Sequence, residues 1–308
     1  MADFSFSAAG MNYTKQALTF GQQAAQMQSR GLVAATTAEI EARLRDVSYY
    51  RLSAYWHPFK RPDESLVPGT TLDQVWRRYV FDRHLRLLVM DAIERVEVAI
   101  LRTRMVEQFT VLHGPFGHRI WNNFKPDFKP SEHTKLMLDL DQSAERSNEV
   151  FVESFRTKYT AEPHLPLWMA AEIMSFGQLF LFFRQLNRAE QQQLSAEFGV
   201  LPPVLESWLR CLNYVRNACA HHARLWNREL PIRPFVPDKK HQPDWHLSTT
   251  PANDRIYAVL LLLRHLLRHV APNTHWKDRL LKLLANYPEV PTASMGFPVN
   301  WQTCPIWS

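Results

Sequence analysis

Residues 72–113, "LDQVWRRYVFDRHLRLLVMDAIERVEVAILRTRMVEQFTVLH", run without a glycine or a proline. Within them Val75, Val80, Leu85, Leu88, Ile93, Val96 and Ile100 recur at threes, fours and fives, the periodicity of a helix that buries one face. The spacing predicts one long helix or two abutting ones. Thr70 or Thr71 is a suitable N-cap, and Asp73 falls in the first turn, where a carboxylate meets the positive end of the helix dipole.

Helical patterns continue on both sides. Upstream, Leu18, Phe20, Ala24 and Met27 have roughly helical spacing with Gly31 as a stop, and Thr36 with Glu39 opens a second helix at capping-box spacing. The proline-rich segment 57–71 is a loop. Downstream, glycines and prolines break the pattern over 113–133, and "TKLMLDLDQSAERSNEVFVESFRTKY" resumes it. After a loop at "TAEPHLPL" comes "WMAAEIMSFGQLFLFFRQL", where Gly177 inside the run permits close packing at ~1 kcal/mol of helix propensity relative to alanine. "LPPVLESWLRCLNYVRNACAHHARLW" starts on prolines and carries Val204, Leu205, Trp208, Leu212 and Val215 as its apolar stripe. A proline-containing excursion, 231–251, leads to the buried-type helix "NDRIYAVLLLLRHLLRHV" and the amphipathic "HWKDRLLKLLANYPEV". No run of alternating strands appears, so the expectation is an all-α single globule over residues 1–308.

Composition sets outer bounds. With 46% hydrophobic and 21% charged residues in 308, the chain is of ordinary globular type. A formal charge of +6 and a pI near 9.3 permit an anionic partner such as nucleic acid without requiring one. Cys211, Cys219 and Cys304 are odd in number and lack a disulfide framework, which favours reduced thiols in a cytoplasm. "MADFSFSAAGMNYTK" lacks the charged and apolar regions of a secretory signal. The most apolar stretch, 257–270, is interrupted by Arg264, His265, Arg268 and His269 and falls short of the ~20 residues that span a bilayer. A soluble protein without a membrane role is expected. There is no CxxC pair, HExxH run, P-loop or dinucleotide fingerprint, and Cys211 and Cys219 lie too far apart for a strong zinc signal.

The polar concentration "RNACAHHARLWNR", 216–228, is the candidate site. On a straight helix Asn217, His221 and Arg224 form one row, while Arg216 stands roughly 140° around the axis from His221. Arg216 and His221 therefore meet on one phosphate only through a reaching guanidinium or a second copy of the helix. A histidine, with an ordinary pKa of ~6.5, exchanges protons near neutrality and can serve a ribose 2′-hydroxyl or a leaving 5′-oxygen. Arginine offers a fixed fork of donors to phosphate oxygens as charge builds. Asn217, one turn before His221, is placed to orient its ring. This chemistry needs no metal and no cofactor. From spacing alone, a solvated polar helix surface explains the same residues.

The phrase "LRCLNYVRNACAHHARLWNR" resembles the signature of the Abi-like family of bacterial abortive-infection proteins, and "RNACAH" resembles the R-x4-6-H motif of the wider HEPN superfamily. "SRGL", "SYYRLSAYWHPF", "PGTTLDQVWRRYVFDRHLRLLVMDAIERVEVAILR", "LPLWMAAEIMSFGQLF" and "MGFPVNWQTCPIW" look like family blocks in family order, covering nearly the whole chain. Gln16 stands where the family pattern has proline. The resemblance implies a HEPN-like helical bundle with N-terminal helices over about 14–56, a core over about 70–270 and a C-terminal extension over about 271–308. It also implies a metal-independent endoribonuclease in a bacterial cytoplasm, completed as a homodimer with a composite site, acting on RNA and held in some cases by a regulatory noncoding RNA. By position, Arg216 and His221 match the motif's defining residues and Asn217 its polar second residue. His222, Arg224, Asn227 and Arg228 belong to the same block and fit RNA contact or dimer support.

Two further clusters carry alternatives. "YYRLSAYW" places Tyr50, Arg51 and Trp56 where aromatics beside a cation can stack bases, or simply pack a core. Asp82, Arg83, Arg86, Glu94, Arg95 and Glu97 brace the motif helix through ion pairs, or form a solvated face. Against the nuclease stands a non-catalytic RNA-binding or scaffold protein that holds a structured RNA or an antitoxin partner.

Overall fold

The computed structural model describes residues 16–34, 36–246 and 250–308. The N-terminal stretch read for a targeting signal, and the first residues of the helix expected from about 14, lie outside the described residues. The chain divides into two compact units, one up to Val80 and one from Phe81 to Ser308.

In the first unit, α1 (Phe20–Ser29) starts at Thr19 in a capping box with Gln22 and ends ahead of Gly31, whose φ of +96° only glycine adopts readily. Next, α2 (Thr37–Val47) is capped by Thr36, whose hydroxyl accepts the Glu39 N–H at 3.1 Å. A third helix, α3 (Tyr49–Trp56), follows directly. Helices α1 and α2 pack on each other through Ala24, Met27, Ile40 and Leu44, all buried. Thr71 opens α4 (Leu72–Val96) through a reciprocal pair with Gln74, each accepting the other's backbone N–H at 3.1 Å.

The predicted long helix is observed, with one change of pitch. After α4 the backbone widens to a π-helix over Glu97–Arg104 and returns as α5 (Met105–His113). Of the expected stripe, all but Val80 are buried. The wider turn lets Arg102 pair with Glu97 five residues back, at 2.5 Å, a spacing that would diverge on an α-helix.

The second unit continues with α6 (Pro130–Arg146) and α7 (Val150–Lys158). The aromatic-rich run is not one helix. It forms α8 (Leu167–Ile173) and α9 (Phe176–Gln185), split where Ser175 caps α9 in a capping box with Gln178, so Gly177 sits in a first turn rather than mid-helix. Arg102 closes the end of α8 by donating to the carbonyls of Ala171 and Met174, the latter at 2.9 Å. Then come α10 (Arg188–Ala196), α11 (Pro202–Ala220), α12 (Ile256–Val270) and α13 (Trp276–Asn286). As expected for a buried helix, α12 is mostly buried, including His265, with Arg268 and His269 exposed in its last turn. Trp208 of α11 stacks on Trp245 at 5.3 Å, and His265 meets Trp208 edge-on at 5.2 Å. The all-α expectation is borne out: the described residues contain no strand, only the isolated bridges Val33–Thr71 and Lys60–Leu66. None of the described helices is long and apolar enough to cross a membrane.

Candidate active site at the end of helix α11

Helix α11 lays Leu205, Trp208, Leu209, Leu212, Val215 and Cys219 into the core and turns Arg210, Asn217 and Ala220 to solvent. It stops at Ala220. The expectation that the motif continues as helix through Arg224 is therefore corrected: His221 is the C-cap, with its N–H on the Asn217 carbonyl at 3.0 Å. His222 adopts φ +57°, its N–H reaches Cys219 O at 2.9 Å, and the Ala223 N–H reaches Ala218 O at 2.8 Å. This is a Schellman ending with histidine where glycine is usual, a left-handed position that histidine tolerates better than most residues.

A buried carboxylate fixes the segment beyond this turn. Asp82, fully buried on α4, accepts the Leu225 and Trp226 N–H groups on Oδ1 at 3.0 and 2.7 Å, and its Oδ2 pairs with buried Arg86. Trp226 is drawn fully into the core. Of the two readings of the "FDRHLR" charges, bracing applies to Asp82 and Arg86, and it acts on the segment after the helix rather than on the helix itself.

The site residues fall into two groups. Arg216 Nη1 donates to Asn217 Oδ1 at 3.2 Å, which draws the guanidinium from its own flank toward the row that Asn217 shares with His221. Asn217 meets both partners: its side-chain oxygen accepts from Arg216, and its backbone carbonyl accepts the His221 N–H at 3.0 Å. Asn217, His221 and His222 are exposed, and Arg216 is half-buried.

The remaining motif residues lie beyond the turn. Arg224 leaves the expected row because the chain reverses at His222, and it is half-buried. Asn227, at φ +48°, accepts from Arg255 Nη1 at 3.4 Å, and the Arg228 guanidinium lies 5.7 Å from the centre of the Tyr214 ring on α11. Both hold the 223–230 segment in place. Tyr50 and Arg51 are exposed residues of the first unit, whereas Trp56 is buried there against Tyr49 at 5.1 Å, a packing residue unavailable to stack a base.

Burial pushes the thiols of Cys211 and Cys219 up to about 12, so both are neutral packing groups at physiological pH. Among the described residues, no cluster of three or more histidine, cysteine, aspartate or glutamate side chains is arranged to hold a metal ion.

A family model described as Abi-like protein matches residues 42–227, more than half of the chain and the whole of the Asp82 brace and the 216–227 segment. This chain belongs to the Abi-like family. The match omits "SRGL" and "MGFPVNWQTCPIW", the outermost blocks of the family resemblance in the sequence. No curated protein and no solved structure matches the chain. Within this Abi-like protein the family segment ends at Asn227, just past the two backbone groups that Asp82 holds.

Proposed function

We propose that this Abi-like protein is a HEPN-type endoribonuclease of an abortive-infection defence system. The observation that carries the reading is the pairing of Arg216 with Asn217 beside an exposed His221, at a helix end whose following segment the buried Asp82 brace holds. A preorganised cation and a titratable imidazole are what phosphodiester transfer requires.

The 2′-oxygen attacks the adjacent phosphorus and the P–O5′ bond breaks, leaving a 2′,3′-cyclic phosphate and a 5′-hydroxyl. His221 takes the 2′-proton or delivers one to the 5′-oxygen, and Arg216 stabilises the charge on the non-bridging oxygens. One imidazole serves one of the two transfers at a time, so a homodimer that brings a second His221 supplies the other. The protein acts on RNA in the bacterial cytoplasm, and a bound noncoding RNA is a natural restraint on such an activity.

Incubation of the purified protein with labelled RNA in EDTA is expected to yield products ending in cyclic phosphate. His221→Ala should lower cleavage by about 10²–10⁴-fold and Arg216→Ala by about 10²–10³-fold, each with an unchanged circular-dichroism spectrum. Undiminished cutting by a folded His221→Ala variant rejects the assignment. Tight binding without cleavage over varied RNAs supports instead a protein that holds RNA or an antitoxin.

A further inference from the structure

A second feature lies on the same exposed edge of α11. Arg210 stands two turns before Asn217, about −20° from it around the axis, so Arg210, Asn217 and the His221 cap share one stripe. Beside Arg210 a groove of about 320 Å³ opens, lined also by Glu206, Ile232, Arg233 and Phe235.

Phe235 is unusual for an exposed aromatic. The residue is 56% exposed, yet its backbone is pinned on both sides: its N–H donates to Ser207 Oγ at 2.9 Å, and its carbonyl accepts from the buried Trp208 Nε1 at 2.8 Å. Prolines at 231, 234 and 237 stiffen the segment further. An exposed apolar ring on a fixed backbone presents a stacking face, because the backbone entropy of placing it is already lost on folding. The groove's charges are mixed but lean positive. Glu206 pairs with Arg184 at 3.1 Å and Glu229 with Arg233, and Arg210 is the exposed cation of the groove on the stripe that also carries Asn217 and His221.

We infer that this groove is a subsite for single-stranded RNA flanking the cleaved phosphodiester, with a base stacked on Phe235 and a phosphate held by Arg210. The inference rests on the endoribonuclease reading for its direction along the helix. Arg210 and His221 are roughly 16 Å apart at ~1.5 Å of rise per residue, which corresponds to about five stacked nucleotides at ~3.4 Å each and fewer in an extended strand. The groove therefore serves nucleotides several positions away from the cut, on one side of it.

The test uses the full chain carrying His221→Ala and a fluorescent 12-nucleotide RNA of randomised sequence, with affinity read by anisotropy at fixed salt. Adding Phe235→Ala should weaken binding about tenfold, Phe235→Trp should restore it, and a trinucleotide should show no difference among the three. Arg210→Glu should also weaken the 12-mer and flatten its salt dependence. Equal affinities for Phe235→Ala and Phe235→Trp, with unfolding midpoints intact, overturn the subsite. Cleavage by proteins with native His221 separates the two ideas. If His221 is required but Phe235→Ala binds and cuts as well as the native chain, the groove assignment fails alone. If Phe235 governs binding while His221→Ala still cuts, the groove stands and the nuclease assignment fails. Absence of any RNA binding by the full chain at low salt overturns both.

Discussion

Asp82 shows how much one buried side chain decides. Its two oxygens join Arg86 to the backbone of Leu225 and Trp226, more than 140 residues away in sequence. Asp82→Ala removes the Asp82 counter-charge from the buried Arg86 guanidinium and frees two buried N–H groups, a loss on the order of 3–5 kcal/mol. A urea titration followed by tryptophan fluorescence should show that drop, together with lost cleavage as the 223–230 segment loosens. The double change Asp82→Leu with Arg86→Leu should regain part of the stability, since no lone charge remains, but not the cleavage. A double variant no more stable than Asp82→Ala would refute the ion-pair account. The sequence offers Asp82 and Arg86 at a spacing of four, which fits a solvated surface pair equally well, because a spacing says nothing about burial.

At the scale of elements, local chemistry marks the starts of helices better than their ends. Thr19, Thr36 and Thr71 all cap as their side chains allow. Ser175 also caps, but it sits inside an apolar run whose periodicity hides the break between α8 and α9. Its Oγ accepts the Gln178 N–H at 3.3 Å, and Gln178 Oε1 accepts the Ser175 N–H at 2.8 Å. Ser175→Ala should cost about 1 kcal/mol, read as a lower unfolding midpoint, and Ser175→Gly only a few tenths. Equal losses for the two would show that the cap is not the cause. The stop of α11 is less legible still. "AHHARL" has neither glycine nor proline, and a left-handed histidine leaves no mark in the sequence, so the row through Arg224 looks continuous.

Across the second unit, stability should depend on acid through two buried imidazoles. Burial lowers His118 from the ordinary 6.5 to about 3 and His265 to about 4. Among the described residues neither ring nitrogen of His118 has a hydrogen-bond partner, while His265 Nε2 bonds to the Phe198 carbonyl at 2.8 Å. The folded state keeps both neutral while the unfolded chain protonates them below about 6.5. Their contribution is complete above that pH and is lost as the pH falls toward 4, on the order of a few kcal/mol. Unfolding midpoints between pH 7.5 and 4.5 should fall steeply. His265→Gln, which keeps a donor for the Phe198 carbonyl but cannot titrate, should flatten the acid limb; an unchanged slope would rule His265 out as a contributor.

The sequence by itself determined the all-α class, the long helix from Leu72 to His113, the Thr36 cap and the candidate Arg216–Asn217–His221 group, because helical periodicity, capping and motif spacing are local properties. Tertiary structure alone decided where α11 ends, which face of the motif reaches solvent and that Trp56 is buried. The first two rest on Asp82 capturing a distant backbone and on Trp226 entering the core, and Trp56 is buried by its own packing on Tyr49; such contacts form only once the elements have packed.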